Sequence, residues 1–256
     1  MRRLRRIRWI SRVIKGQLSQ LRHAIRNYFQ NWMNAMNFYD RLLQETADER
    51  AALLSVPLLQ DGVRGAISLA TYQAFLTQAY HHVKHTTPLL MGVGARLPER
   101  LEWLREAVGE YIEEEMGHQE WILSDIAATG ADAEAVRHGT PGLATDLMVA
   151  YAWDTVQRRN PVGFFGMVLV LEGTSVKLAT QAADAIQKST NLPDRAFTYL
   201  RSHGSLDISH VDFYEKLMNR LQDAADQQAV IATAKVMYRL YGDVFRSIPH
   251  ESQGAA

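Results

Sequence analysis

Apolar residues recur with a helical period along nearly the whole chain after residue 37, and no stretch alternates cleanly in the way that is typical of a strand. The periodic runs are separated by turn-forming pairs such as Asp61-Gly62 and Asn160-Pro161. The sequence therefore predicts an all-α bundle of seven or eight helices. Their expected ranges are residues 33–55, 67–87, 98–129, 142–158, 161–188, 193–202, 204–222 and 226–247.

A basic segment precedes this predicted bundle. Between Met1 and Tyr39 the chain has nine Arg or Lys residues and no acidic residue, although its formal net charge is zero. Apolar residues recur in the same segment at helical spacing, which predicts a basic amphipathic helix. We expect a basic N-terminal arm over residues 1–30 and a helical domain over residues 31–256. The arm suits contact with an anionic membrane or nucleic acid, although such a segment is more often a docking helix or a solvated arm.

The composition excludes several classes of site. The chain has no cysteine, so disulfides, iron–sulfur clusters and thiol nucleophiles are absent, and any metal must be bound through nitrogen and oxygen. The most apolar stretch, Phe164 to Leu171, is far shorter than the roughly 20 residues of a membrane-spanning helix. No continuous apolar core follows the N-terminal arginines, so they do not form a secretory signal. These features predict a soluble, cytoplasmic protein.

Two segments carry residues with the spacing of metal ligands. Glu115 and His118 are three positions apart in a predicted helix, so they share one face and one turn. In HGSLDISH, His203, Asp207 and His210 are spaced i, i+4 and i+7, which a helix gathers into one stripe. The first pair is common by chance and is also typical of an exposed acidic face. The second pattern is rare by chance and is the stronger indication of a metal.

A third candidate is Glu172, an acidic residue within the most apolar predicted helix, GMVLVLEGTSVKLA. Burial of a lone carboxylate is costly or neutralises the acid, so Glu172 requires a metal, a base or a hydrogen-bond donor as its partner. A salt bridge would satisfy the same requirement. Taken together, the three segments favour a metal site.

The order of these segments, with the wording GAISLATYQAFLTQAYHHVKHT and EEEMGHQEWILSDIAATG, resembles the heme-oxygenase-like di-iron oxidases. These proteins are related in fold to thiaminase II and to the pyrroloquinoline-quinone synthesis oxidase. The resemblance covers roughly residues 35–245. It implies a heme-oxygenase-like bundle and a cofactor of two iron ions (Fe2+/Fe3+), for which manganese or zinc could substitute. The metal ligands that it implies are Glu115, His118, Glu172, His203, Asp207 and His210.

The sequence departs from the family pattern at the first carboxylate. Some members have a Glu seven residues before the first His ligand, and others have it three residues before. Here the residue seven before His118 is Tyr111, so the role passes to Glu115, with Glu110 and Glu114 as alternatives.

The resemblance implies a non-heme, dioxygen-dependent oxidase or oxygenase acting on a small organic substrate of the amine, amino acid or fatty acid type. We also expect a homodimer. The candidate substrate-pocket residues are His82, His85, Trp121, Phe164 and Phe165.

Other activities of related folds remain as alternatives. Thiaminase activity requires a cysteine, which the chain lacks. A heme enzyme requires an axial His on an early helix, and His23 is the only candidate, outside the region of resemblance. A cofactorless oxidase would use His81, His82 and His85 as acid, base or oxygen-pocket groups. A non-catalytic scaffold would bind nucleic acid or a membrane through the basic arm.

Overall fold

The computed structural model describes residues 36–250, apart from the side chains of residues 176–177 and 203–210. None of the residues described lies in a strand, which confirms the predicted all-α fold. Three short 3-10 turns, at 99–101, 161–163 and 194–196, lie between helices. The helices are α1 (Phe38–Glu45), α2 (Ala47–Leu54), α3 (Pro57–Gly62), α4 (Leu69–Val83), α5 (Thr86–Arg96), α6 (Glu102–Glu115), α7 (His118–Ala128), α8 (Ala133–His138), α9 (Leu143–Arg158), α10 (Phe164–Thr190), α11 (Thr198–Arg220) and α12 (Ala224–Ser247).

The chain divides into two compact units, Met1–Arg41 and Leu42–Ala256. In the first unit, Asn37 accepts a hydrogen bond from the backbone N–H of Asp40 at the start of α1 (2.8 Å). The predicted basic arm, residues 1–30, lies outside the described residues, so it and the predicted domain boundary remain expectations.

Side chains that accept hydrogen bonds from backbone N–H groups fix the starts of several helices. Ser68 accepts from the N–H of Thr71 at the start of α4, and Asp223 accepts from two N–H groups at the start of α12. Asn160 accepts from the N–H of Val162 just before the 3-10 turn that leads into α10. Pro161, which follows Asn160, suits this first turn because a backbone N–H there would have no helical acceptor.

The predicted helix over residues 98–129 is two helices, α6 and α7. Met116 has extended backbone and Gly117 has a φ of 97°, a left-handed conformation that glycine adopts without a steric penalty. Glu115 therefore ends one helix and His118 begins the next. The predicted break at residue 203, between the expected helices 193–202 and 204–222, is absent, because the backbone of α11 is helical from Thr198 to Arg220.

Helix α10 lies at the centre of the larger unit, packed against α11 and α12. Residues 161–170 are all buried, which explains why this is the most apolar stretch of the chain. A side-chain carbon at Gly166 would overlap the backbone of α12 at Val230 and Ala234, so glycine permits the close approach of these two helices.

No single helix within the described ranges has the length and apolarity of a membrane span. The bent pair Pro161–Ser175 and Leu178–Thr190 meets those two criteria only when the segments are taken together.

Candidate metal centre

Glu115 and His118 are in direct contact across the break between α6 and α7. His118 Nδ1 lies 3.1 Å from Glu115 Oε2, and the two side chains are 4% and 12% exposed. Two ligands that bind one ion side by side, each at about 2.1 Å, are about 3 Å apart. The observed separation fits that arrangement, and it also fits a hydrogen bond between the two groups.

The ring of His118 stacks on Trp121, with 4.1 Å between the ring centroids and 29° between the planes. Trp121 is a predicted substrate-pocket residue, and its ring lies beside the candidate ligand. The stacking and the Glu115 contact together hold the imidazole in one orientation. The alternatives to Glu115 that the sequence offered, Glu110 and Glu114, are both exposed.

Glu115 and Glu172 line the same cavity, of about 70 Å³, although they belong to α6 and α10. Phe164 and His82, two predicted pocket residues, line it as well. The rest of the described lining consists of hydroxyl-bearing and apolar side chains. Carboxylate, imidazole and hydroxyl groups are the oxygen and nitrogen donors that a chain without cysteine offers a metal, so the lining fits such an ion.

Tyr111 lines the same cavity as the two carboxylates. It is 1% exposed, and burial together with the negative charges of Glu172, Glu114 and Glu115 raises the pKa of its phenol well above the ordinary value. The hydroxyl therefore stays protonated near acids from both helices. In the sequence Tyr111 stands where some members of the family have a carboxylate, and its apolar neighbours in α6 were the available signal that it is buried.

The remaining predicted ligands, His203, Asp207 and His210, lie outside the described side chains. Their helix, α11, packs against α10, which carries Glu172, and against α7, which carries His118. Among the side chains that the structure does describe, no three His, Cys, Asp or Glu residues are grouped closely enough to hold a metal. The complete set of six ligands thus remains a prediction.

Asp125 links α7 to the start of α11, a role that the sequence did not predict. Its carboxylate is fully buried and accepts hydrogen bonds from the backbone N–H groups of Thr198 (3.1 Å) and Tyr199 (2.8 Å). Burial raises the pKa of Asp125, and the two N–H donors oppose that shift. An acid within the apolar sequence WILSDIAA was the signal that could have identified it.

The histidines at the junction of α4 and α5 have separate surroundings. The ring of His82 meets the edge of the Tyr241 ring at the cavity, with 5.9 Å between centroids. His85 instead accepts a hydrogen bond at Nδ1 from Trp153 Nε1 (3.4 Å). His81 is buried, with Nδ1 3.3 Å from Lys84 Nζ. Burial and the charge of Lys84 lower the pKa of both His81 and His85, which favours their neutral forms.

Phe165, the last predicted pocket residue, is fully buried and does not line the cavity. Its carbonyl accepts a hydrogen bond from the Tyr214 hydroxyl (2.7 Å), and its ring lies 6.4 Å from that of Tyr111. The structure thus brings His82 and Phe164 to the cavity, whereas His85, Trp121 and Phe165 contact other groups.

Comparison with known proteins gives both a family and a fold. The family model described as iron-containing redox enzyme matches residues 73–242. No curated protein matches the sequence.

Among solved structures, a domain of unknown function with a heme oxygenase-like fold from Shewanella denitrificans has a TM-score of 0.73 at 22% identity, covering 84% of this chain and 92% of its own. A TenA homolog from Pseudomonas syringae has a TM-score of 0.69 at 10% identity, covering 84% and 93%. Heme oxygenase-1 from Synechocystis, in complex with heme, has a TM-score of 0.65 at 12% identity, covering 82% and 91%. At these identities the likeness establishes the fold alone.

Proposed function

Since this chain belongs to the iron-containing redox enzymes with a heme-oxygenase-like fold, we propose that it is a non-heme di-iron oxidase or oxygenase. In this proposal it uses dioxygen to oxidise a small organic substrate of the amine, amino acid or fatty acid type. The observation that carries the proposal is the contact between Glu115 and His118, together with Glu172, which lines the same cavity as Glu115.

The register of α11 supports the remaining ligands. His203, Asp207 and His210 follow Tyr199 by 4, 8 and 11 positions, which is one face of a helix at about 100° per residue. Tyr199 lines the cavity that holds Glu115 and Glu172. The three positions therefore belong to the helix face that this tyrosine marks, and a ligand set of three carboxylates and three imidazoles matches the chemistry of di-iron sites in helical bundles.

The residues described at the candidate site have separate parts in this proposal. Two bound irons would supply the electrons that reduce dioxygen. Glu115 and Glu172 offset the positive charge of the ions, and Trp121 and Glu115 keep the His118 ring in place. Tyr111 retains its proton beside the carboxylates and can donate a hydrogen bond there. The ring of Phe164 contributes an apolar wall that limits access of water.

Metal content tests the proposal directly. The full chain, loaded with Fe(II) without oxygen and freed of excess metal, should hold about two irons per chain by elemental analysis. Asp207→Ala should lose at least one iron. Asp212→Ala, an exposed position on the same helix, is the matched control and should keep both.

An absence of bound transition metal, or full loading of Asp207→Ala, would overturn the di-iron assignment. A stoichiometric heme absorption band in the purified protein would favour the heme alternative instead. Exclusive retention of zinc would support the site and contradict the oxygen chemistry, because zinc has no redox activity.

A further inference from the structure

A second cavity, of about 90 Å³, adjoins the cavity that Glu115 and Glu172 line. Its walls come from α3, α4, α10, α11 and α12. Ser175, Tyr199 and Tyr241 line both cavities, so the two spaces meet at these three side chains. A ligand that fills one space therefore lies next to the other.

The second cavity presents an apolar surface. Aliphatic and aromatic residues such as Leu178, Ile186 and Phe245 dominate its wall, and none of its described lining residues is charged.

Three hydroxyl groups in this wall are already engaged in hydrogen bonds to backbone carbonyls. The Tyr72 hydroxyl donates to the Ala196 carbonyl (2.7 Å), and the Thr174 hydroxyl donates to the Val170 carbonyl (2.6 Å). The Ser175 hydroxyl likewise donates to backbone carbonyls of its own helix, at 2.9 and 3.1 Å. A polar ligand would lose its hydration here without gaining equivalent hydrogen bonds, whereas burial of a hydrocarbon group is favourable.

We propose that this second cavity binds a hydrocarbon tail of the substrate. The substrate is then an amphiphile whose tail lies between α10 and α12 and whose reacting polar head lies beside Glu115 and Glu172. The role of the head rests on the proposed function, whereas the binding of the tail does not. Among the three substrate types named above, a long-chain acid or amine fits, and a compact polar amino acid does not.

The experiment compares tail length at constant head group. Calorimetry on the full chain, with and without Fe(II), would measure binding of butyl, hexyl, octyl and decyl amines, carboxylates and alcohols below their micelle concentrations. Affinity should rise about fourfold per methylene until the cavity is full, whichever head the probe carries, because each buried methylene contributes about 0.8 kcal/mol. Affinity that is independent of tail length overturns the inference.

Two substitutions in the wall give opposite expectations. Ala182→Phe fills the cavity and should move the preferred tail to a shorter length, whereas Ile186→Ala enlarges it and should move the preference to a longer one. Ala232→Phe, at an exposed position on α12, is the matched control and should leave the preference unchanged. A folding defect would weaken the binding of every probe, and it could not shift the preferred tail length in opposite directions in the two variants. Equal profiles in all three variants would overturn the inference.

Metal analysis separates this inference from the proposed function. Tail-dependent affinity in a chain that binds no iron would retain the tail site and reject the di-iron assignment. Iron binding without any dependence on tail length would retain the assignment and reject the tail site.

Discussion

Gly117 determines how two neighbouring ligand candidates meet. Its φ of 97° allows the chain to end α6 at Glu115 and to begin α7 at His118 within two residues. Glu115 and His118 would also share one face of a continuous helix, because they are three positions apart. The break therefore changes the direction of α7 relative to α6 and does not decide which two residues pair. Nothing lies within 4 Å of a side-chain carbon built at Gly117, so the backbone conformation alone requires glycine.

Gly117→Ala should therefore lower the free energy of unfolding by about 1–2 kcal/mol, the cost of left-handed backbone in a residue with a side chain. It should also weaken iron binding, because it disturbs the break that sets the direction of α7 relative to α6. Gly109→Ala is the control, because Gly109 is exposed in the middle of α6 and also has open space around it. That change should stabilise the protein by about 0.5–1 kcal/mol. Thermal or urea unfolding measures the change in unfolding free energy for both variants. Equal changes in Gly117→Ala and Gly109→Ala would contradict a requirement for glycine at position 117.

Individual residues also show what the sequence could predict of the site. Glu172 was identifiable because an acid in an apolar helix needs a partner, and Glu115 with His118 because their spacing is that of one helical turn. The break at Gly117 was not identifiable, because one glycine costs a helix only about 1 kcal/mol. Asp125 was missed because its partners are 73 and 74 residues away in sequence, and helical periodicity carries no information on contacts between helices.

Among contacts between helices, the hydrogen bonds that join α7 to α11 are the most relevant to the proposed metal site. Helix α7 begins at His118 and, seven residues later, its Asp125 accepts hydrogen bonds from the first turn of α11. The helix of the predicted ligand triplet is thus held to the helix of the first histidine. The periodicity of the sequence predicted helical structure in both segments but not the bounds of either helix, and their mutual contact depends on the tertiary fold.

Asp125→Ala should lower the free energy of unfolding by about 1–3 kcal/mol, because it leaves two N–H groups without their acceptor. It should also lower iron affinity, measured by competition with a chelator. Asp223→Ala is the matched control, since Asp223 accepts from two N–H groups at the start of α12, a helix that carries no predicted ligand. That variant should lose stability and keep its iron affinity. Equal losses of iron in the two variants would rule out a specific role for Asp125.

At the scale of the whole molecule, Asp226 connects three distant parts of the larger unit. It is 1% exposed and accepts hydrogen bonds from Arg100 (2.6 and 3.1 Å) and from Asn160 (2.8 Å). Burial by itself would raise the pKa of this carboxyl, but the hydrogen bonds from Arg100 and Asn160 outweigh it and hold the pKa below its ordinary value. Folding therefore favours the ionised form of Asp226.

This network makes stability depend on pH in a defined direction. The pKa of Asp226 is lower in the folded chain than in the unfolded chain, where it is near 4. The stability that ionised Asp226 contributes is therefore fully present above about pH 4. It is lost as the pH falls through the pKa of the folded chain. Asp226→Asn should lower the unfolding free energy by about 1–2 kcal/mol at pH 7, and its difference from wild type should shrink between pH 5 and pH 3. Asp212→Asn is the exposed control. Thermal unfolding across this range checks the prediction, and a difference that grows at low pH would contradict it.

The hydrogen bonds between Asp125 and α11 also determine when α7 can fold during synthesis of the chain. A ribosome completes Asp125 before it completes Thr198 and Tyr199, which lie 73 and 74 residues further along the chain. Until those residues emerge, this carboxylate has neither of its native N–H donors and gains more from water than from burial. Helix α7 can therefore reach its final position only late in translation, and the proposed metal site, which includes His118, would be completed only after the first turn of α11 has been made.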